Sequence, residues 1–335
     1  MIDLKDKNIL FISPAFFGYE KAILNRCREL GAVVDYFDER PANSFWVKTF
    51  IRLNRNLLFF YISRYYDFIY NSIKNNNYDY VFVVNLEAMP KSFLHKIKMN
   101  CPSAMLILYM WDSLKNKKNT LHYISYFDKV FSFDKDDCLN NNSIIFRPLF
   151  FLNEYAEISK YQKYKYDLLF IGTIHSDRYV ILQKIKRQLE NKKYYFYLYL
   201  QNWKLFFLYK IKYPIYRNAH IHDFKYAPLS KKKLFNLISC SRIIIDIQHP
   251  KQVGLTIRTI EMLGARRKLI TTNVAIKEYD FYNSNNILVI DRENPEIPEM
   301  FFKESYEPIE QKIYDKYSLD GWLSDIFMQS SNSVL

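Results

Sequence analysis

The chain has 335 residues, 49% of them hydrophobic and 25% charged, with a formal net charge of +13. That is a globular composition with ample core, enough for one very large or two ordinary domains. Wholly apolar runs such as 57–62 and 194–200 are far too short to span a membrane, and the four cysteines stand apart without Cys-x-x-Cys spacing, which speaks against a zinc knuckle and a disulfide framework and suits the cytoplasm.

The first residues carry acids and run straight into a strand, so no signal peptide is expected. Residues 8–13 form an apolar first strand, and 14–18 the turn that leaves it. Residues 19–30 have helical periodicity and stop at Gly31, a C-terminal cap, before a second strand at 33–37. Strand, helix and strand within forty residues is a βαβ opening.

Residues 45–77 lack Gly and Pro and predict one long or two short helices. Lys48, Arg52, Arg55 and Arg64 are set among Trp46, Phe50, Phe59, Phe60 and Tyr61. Such a segment either lies on an anionic membrane surface or packs its aromatic side chains on the sheet. Short apolar strands follow at 80–84, 105–110 and 129–133, each ending in a polar loop: 85–87, 111–113 and 134–137. Residues 144–146, before Arg147 and Pro148, complete the first half.

Residues 153–166 are polar, rich in Lys and Tyr and without a strong period, and are expected to connect two domains. The second half restarts with a strand at 167–172, a loop at 173–178, a helix at 180–189 and a strand at 194–200. A helix at 231–238 leads to a strand at 243–247. The loop and helix of 248–264 come next, with a strand at 268–272, a short helix near 276–279 and a strand at 287–290. The tail from 307 to 327 is helical with a break near 318–321. This gives an N-terminal domain at 1–152, a linker at 153–166, a second domain at 167–305, and C-terminal helices at 306–335 packing back toward the first. Four of only six glycines, Gly18, Gly172, Gly254 and Gly264, fall at or beside strand–helix junctions, where positive φ or close backbone approach selects glycine.

Neither the dinucleotide Gly-x-Gly-x-x-Gly, the phosphate-binding Gly-x-x-x-x-Gly-Lys nor a Gly-x-Ser-x-Gly elbow occurs. Among the histidines only His220 and His222 have metal-like spacing, with Asp223 the nearest acid. Asp134 and Asp136 form an Asp-x-Asp of the kind that holds a divalent ion and a nucleotide diphosphate; equally, Asp134 suits a helix N-cap and Asp136 and Asp137 a first turn. His175, Ser176 and Arg178 open a helix after a glycine-bearing strand, and either form an anion site or serve as cap and solvated cation. On the 257–264 helix, Arg258 and Glu261 fall on one side, away from Ile257, Ile260, Leu263 and Gly264. They form either a surface ion pair or a pair of contacts to phosphate and ribose.

Together these residues resemble the GT-B glycosyltransferases, and more narrowly bacterial transferases of capsule and lipopolysaccharide-core assembly. The segments 11–20, 109–113, 127–134, 170–178, 252–261 and 268–273 carry the resemblance, the Arg258-x-x-Glu261 element most specifically. It implies an α/β protein of two Rossmann-like domains facing across a cleft, the second holding a nucleotide-sugar donor and the first an acceptor. Donor contacts would come from Glu261 (ribose), from Arg258 with His175, Ser176 and Arg178 (diphosphate), and from Thr256, Gly254, Gln252 and Gly172. The glutamate that many relatives carry eight positions before Glu261 is Val253 here, which leaves sugar recognition and stereochemistry open.

Without a metal, fixed cations and helix N-termini must stabilise the leaving diphosphate, and an inverting reaction needs a base, for which Asp112, Glu20 and Glu87 are candidates. No cofactor is expected beyond the donor substrate. The acceptor would be a glycan or glycolipid, with peripheral contact to the anionic inner membrane surface, a cytoplasmic location and no nucleic-acid partner. Two alternatives are a metal-dependent transferase using Asp134 and Asp136, and a non-enzymatic basic protein that binds anionic lipid or nucleic acid.

Overall fold

The computed structural model describes residues 2–158 and 163–328; the side chains of residues 45, 48, 52–56 and 118 lie outside that description. Two compact units divide the chain, Met1–Leu149 joined by the segment from Leu319 onward, and Phe150–Ser318.

The first unit is built on the parallel strands β1 (Asn8–Ile12), β2 (Val33–Phe37), β3 (Tyr80–Val84), β4 (Met105–Met110), β5 (Lys129–Ser132) and β6 (Ile144–Phe146). Their order is β2-β1-β3-β4-β5-β6. The crossovers carry α1 (Tyr19–Glu29), α2 (Phe45–Asn54), α3 (Phe59–Ile73), α4 (Lys91–Asn100) and α5 (Lys135–Leu139). Central strands are apolar on both faces because helices cover both: Val81 to Val84 and Leu106 to Met110 are buried throughout. The glycines flanking α1 meet a backbone requirement, with φ of +85° at Gly18 and +92° at Gly31.

The second unit repeats the plan with β7 (Tyr166–Thr173), β8 (Tyr194–Tyr199), β9 (Phe224–Lys225), β10 (Ser241–Asp246), β11 (Lys268–Thr271) and β12 (Ile287–Val289), ordered β12-β11-β10-β7-β8-β9. Its helices are α6 (Asn153–Ile158), α7 (Arg178–Lys186), α8 (Trp203–Lys212), α9 (Lys231–Ser239), α10 (Ile257–Gly264), α11 (Glu299–Lys303) and α12 (Gln311–Lys316). Strand order reverses between β7 and β10, and in open parallel sheets ligands bind at such a switch point, beyond the carboxyl ends of the strands. The last helix, α13 (Leu319–Met328), belongs to the first unit. Its Trp322 is fully buried, 4.8 Å from the Tyr109 ring centre, and its Asp325 and Asp320 pair with Arg147 and Arg26.

Several elements depart from the sequence reading. The stretch expected to be a connection begins with α6, too short for a periodic signature, and residues 159–162 lie outside the described residues. Helix α8 intersperses Lys204, Lys210 and Lys212 among its apolar residues instead of gathering them on one face, and therefore shows little helical period. The 45–77 segment is α2 and α3 bridged by a tight turn at Arg55–Leu58. Ile62, Tyr66 and Ile69 are buried in the core of the first unit, whereas the aromatic residues Trp46, Phe59 and Phe60 are 67%, 59% and 87% exposed. The side chains of Lys48, Arg52 and Arg55 lie outside the described residues, and Arg64 is exposed.

Candidate functional site

In the second unit, the two loops that leave β7 and β10 meet at the switch point. Arg178, the first residue of α7, joins them: its Nε donates to the Ile247 carbonyl at 2.6 Å and its Nη1 to the Thr173 carbonyl at 2.8 Å. Burial pulls the pKa of this guanidinium down, Asp246 acts against that, and Arg292, Asp177 and Arg258 lie close enough to contribute. Gly172 leaves room for this arrangement, since a Cβ there would stand 2.9 Å from the Phe170 ring and 3.4 Å from Arg178 Nη1.

The β7 loop is strained at Ser176, a non-glycine residue with φ +49°. Its hydroxyl lies 3.1 Å from His175 Nδ1 and donates to Asp177. Burial, then Arg178 and His249, hold the His175 pKa down to about 4, so the ring is neutral at neutral pH. The Asp177 carboxylate does not cap α7 with a side-chain bond; it accepts from Arg292 Nη1 at 2.7 and 2.9 Å. Arg292 Nη2 in turn donates to the Gln248 carbonyl at 2.6 Å, tying the β12 end to both loops. Sequence reading missed Arg292, because only the sheet order brings the residue after β12 beside β7 and β10.

The β10 loop enters α10 through a fixed corner. Thr256 is the N-cap, accepting from the Thr259 amide at 3.3 Å, and the hydroxyls of Thr256 and Thr259 both donate to Asp246 at the end of β10. Gln252 Nε2 donates to the Gly254 carbonyl, and Asn273 Nδ2 to that of Val253. Two residues into the helix, Arg258 and Glu261 pair at 2.8 Å with side chains only 21% and 6% exposed. This is not a solvated surface pair. The Tyr155 hydroxyl of α6 bonds with both. At the far end of α10, Gly264 faces the Phe151 ring, which a Cβ would approach to 2.4 Å. The helix is thereby locked at both ends.

In the first unit, the three candidate bases have different surroundings. Glu20 is buried and accepts from the Phe16 amide at 2.9 Å. Burial alone would raise the Glu87 pKa, but Arg40 at 2.8 Å and Lys117 at 2.7 Å hold it down to about 2. Asp112 is 39% exposed, with Asn116 Nδ2 at 3.3 Å and Lys117 Nζ at 3.7 Å. One further acid escaped the sequence reading. Glu39, after β2, is wholly buried, and its Oε1 accepts from the amides of Glu87, Ala88 and Met89 at 2.8, 2.6 and 2.9 Å. Burial pushes its pKa up to about 8. It pins the loop after β3 across the end of β1, at this sheet's own switch point.

Asp134 caps α5, accepting from the Asp136 amide at 3.1 Å, and Asp137 turns inward to Ser132 and the Leu114 amide. Asp223 accepts from Tyr179 and from the His220 amide, so the acid beside His220 and His222 is committed to the fold. Among the described residues no cluster of three or more His, Cys, Asp or Glu side chains is placed to hold a metal ion. No described helix is long and apolar enough to cross a membrane.

No protein-family model and no curated protein matches the chain. Solved structures do match over nearly its full length. Anabaena Alr3699/HepE, solved with UDP and glucose, aligns with a TM-score of 0.57 at 11% identity, over 96% of this chain and 98% of that one. A Burkholderia xenovorans α,α-trehalose-phosphate synthase (UDP-forming), solved with glucose-6-phosphate, gives 0.59 at 11% identity, over 97% and 100%. The N-terminal domain of Candida albicans trehalose-6-phosphate phosphatase gives 0.50 at 11% identity, over 98% and 91%. At that identity the likeness establishes architecture: two six-stranded, parallel, Rossmann-like units, the GT-B fold.

Proposed function

We propose that the chain is a glycosyltransferase that binds a nucleotide-sugar donor at the β7/β10 switch point of its second unit. The observation that carries this reading is the grouping of three guanidinium groups, Arg178 and Arg292 bonded to the loops that leave β7 and β10 and Arg258 near enough to act on Arg178, beside a nearly buried carboxylate, Glu261. A leaving nucleoside diphosphate develops negative charge, which fixed guanidinium groups and a helix N-terminus stabilise without reorganisation. In this reading Glu261 takes the ribose hydroxyls, and Arg258, with the His175–Ser176 loop and the Gln252–Gly254–Thr256 corner, takes the diphosphate. Gly172 and Arg178 hold the loops in place. The two similar structures named for UDP-containing complexes or UDP-forming activity support a nucleotide donor.

That supply of cations supports metal-independent transfer. Asp134, engaged as a helix cap, gives less support to the metal-dependent alternative. For the base we favour Asp112 over Glu20 and Glu87: it is the most exposed of the three, whereas Arg40 and Lys117 hold the Glu87 pKa down to about 2 and so weaken it as a base. A lipopolysaccharide-core, capsule or lipid-linked acceptor, met at the inner face of the cytoplasmic membrane, suits the positive net charge and the exposed Trp46, Phe59 and Phe60 of α2 and α3. Thermal shift across a panel of nucleotide sugars, followed by transfer assays with the best donor in the presence of EDTA, tests the reading. A donor that stabilises the protein and turns over in EDTA supports it. No stabilisation by any nucleotide sugar contradicts it.

A further inference from the structure

Helix α8 of the second unit violates the usual pattern of a surface helix. Only Phe206 on it is buried, yet Trp203, Phe207, Leu208 and Ile211 are 53%, 48%, 53% and 83% exposed, and Ile215 just beyond is 40% exposed. An exposed apolar patch of this kind marks an interaction surface. Trp203, Phe207 and Ile211 follow one another at four-residue intervals and form one stripe. Lys204, Leu208 and Lys212 form the adjacent stripe, and all three are exposed.

The charge along this stretch has one sign. From residue 191 to residue 222 the chain contains no Asp or Glu, while Lys204, Lys210, Lys212 and Arg217 lie in or just after α8. The lysines fold over the aromatic rings: Lys204 Nζ stands 5.8 Å from the Trp203 ring centre, and Lys212 Nζ 5.4 Å from that of Tyr213. Lysine is depleted where proteins bury surface against each other. Interleaved Lys, Trp, Phe and Leu on an exposed helix is instead the composition that seats in the headgroup region of a bilayer, the rings entering and the ammonium groups reaching the phosphates.

We propose that α8 is a membrane-docking helix that lies in the interface of a bilayer carrying anionic lipid. It is a second contact, in a different unit from α2 and α3, and it stands independently of the transferase reading.

Co-sedimentation of the full chain with vesicles of equimolar phosphatidylglycerol and phosphatidylcholine, and with phosphatidylcholine alone, tests this. The double variant Phe207→Glu with Ile211→Glu is compared with Phe60→Glu and the parent. Both positions are solvent-exposed, so the melting temperature should hold, and nucleotide titration of the same samples reads the donor site separately. The parent should bind the anionic vesicles much more tightly than the neutral ones, with affinity falling as salt rises. The α8 variant should bind the anionic vesicles at least about tenfold more weakly, which is the loss of two apolar insertions and the gain of two repelled charges. Unchanged binding by the α8 variant overturns the proposal, as does a parent that ignores anionic vesicles. A parent that self-associates in sedimentation, and loses that association in the α8 variant, assigns the face to a second copy and also overturns it.

Discussion

Arg258 and Glu261 stand 2.8 Å apart, one turn along α10, in a site where the carboxylate is nearly excluded from solvent. Between exposed groups, a pair with this spacing contributes only a few tenths of a kcal/mol. Taking a carboxylate out of water is costly unless it is paired and hydrogen-bonded, as Glu261 is by Arg258 and Tyr155, and the corner made by Thr256, Thr259 and Asp246 fixes the helix that presents it. Such pre-positioned charge suits a ligand that brings both hydroxyls and phosphates.

Arg292 should matter to the donor although it lies far along the chain. It bridges Asp177 and the Gln248 carbonyl, holding together the two loops that frame the site. Arg292→Ala is expected to weaken nucleotide-diphosphate binding about tenfold, and Arg292→Lys to restore little of it, since a point charge does not reproduce a bridging guanidinium. Titration calorimetry on the three proteins checks this; equal affinities would remove Arg292 from the site.

His175 supplies a pH signature. Its pKa of about 4 reflects burial and the neighbouring Arg178 and His249. A bound diphosphate would offset the cations and raise that pKa, so binding should take up protons as pH falls from neutrality toward about 4. Calorimetry in buffers of differing ionisation enthalpy measures the uptake. The expected change in His175→Gln is a loss of the imidazole share; an uptake identical to the parent's counts against the histidine.

Glu87 should act as an anchor for the first unit. Its pKa is depressed to about 2, so its contribution to stability is complete above the ordinary carboxylate value of 4.5 and disappears as pH falls from there toward 2. Glu87→Gln leaves Arg40 and Lys117 without their shared anion and should cost about 3 kcal/mol or more at neutral pH. Urea unfolding as a function of pH gives both numbers. A variant as stable as the parent at pH 7 would rule out the anchoring role.

Glu39 predicts the opposite slope. With its pKa raised to about 8, the native state holds a proton that the unfolded chain gives up near 4.5. Its contribution is therefore full below pH 4.5, declines as pH rises to about 8, and is flat beyond. Glu39→Gln keeps an oxygen for the amides of Glu87, Ala88 and Met89 and should flatten melting temperature against pH across that window. A slope equal to the parent's would show that Glu39 ionises normally.

How far the sequence exposed these features depends on whether their cause is local. The α10 corner was legible because a cap, a helix and a glycine end lie within one short stretch, and α1 because Gly18 and Gly31 sit where φ is positive. The strands were legible because burial on both faces makes them continuous apolar runs. Arg292 and Glu39 were not, since each acquires its role only when sheet order places one strand end beside another. Helix α8 was hidden for a different reason: lysine and apolar side chains are interspersed around it, which leaves little period to detect. Its exposed Trp203, Phe207 and Ile211, set among lysines, are what the proposed membrane contact rests on.

The most direct measurement is calorimetric titration of nucleoside diphosphates (UDP, GDP and ADP) into the parent chain, Arg258→Ala and Glu261→Gln, with melting temperatures recorded on the same samples. At least one diphosphate should bind the parent, and each variant should bind it about tenfold more weakly while remaining folded. No binding by the parent, or an unchanged Kd in both folded variants, would contradict nucleotide recognition by α10.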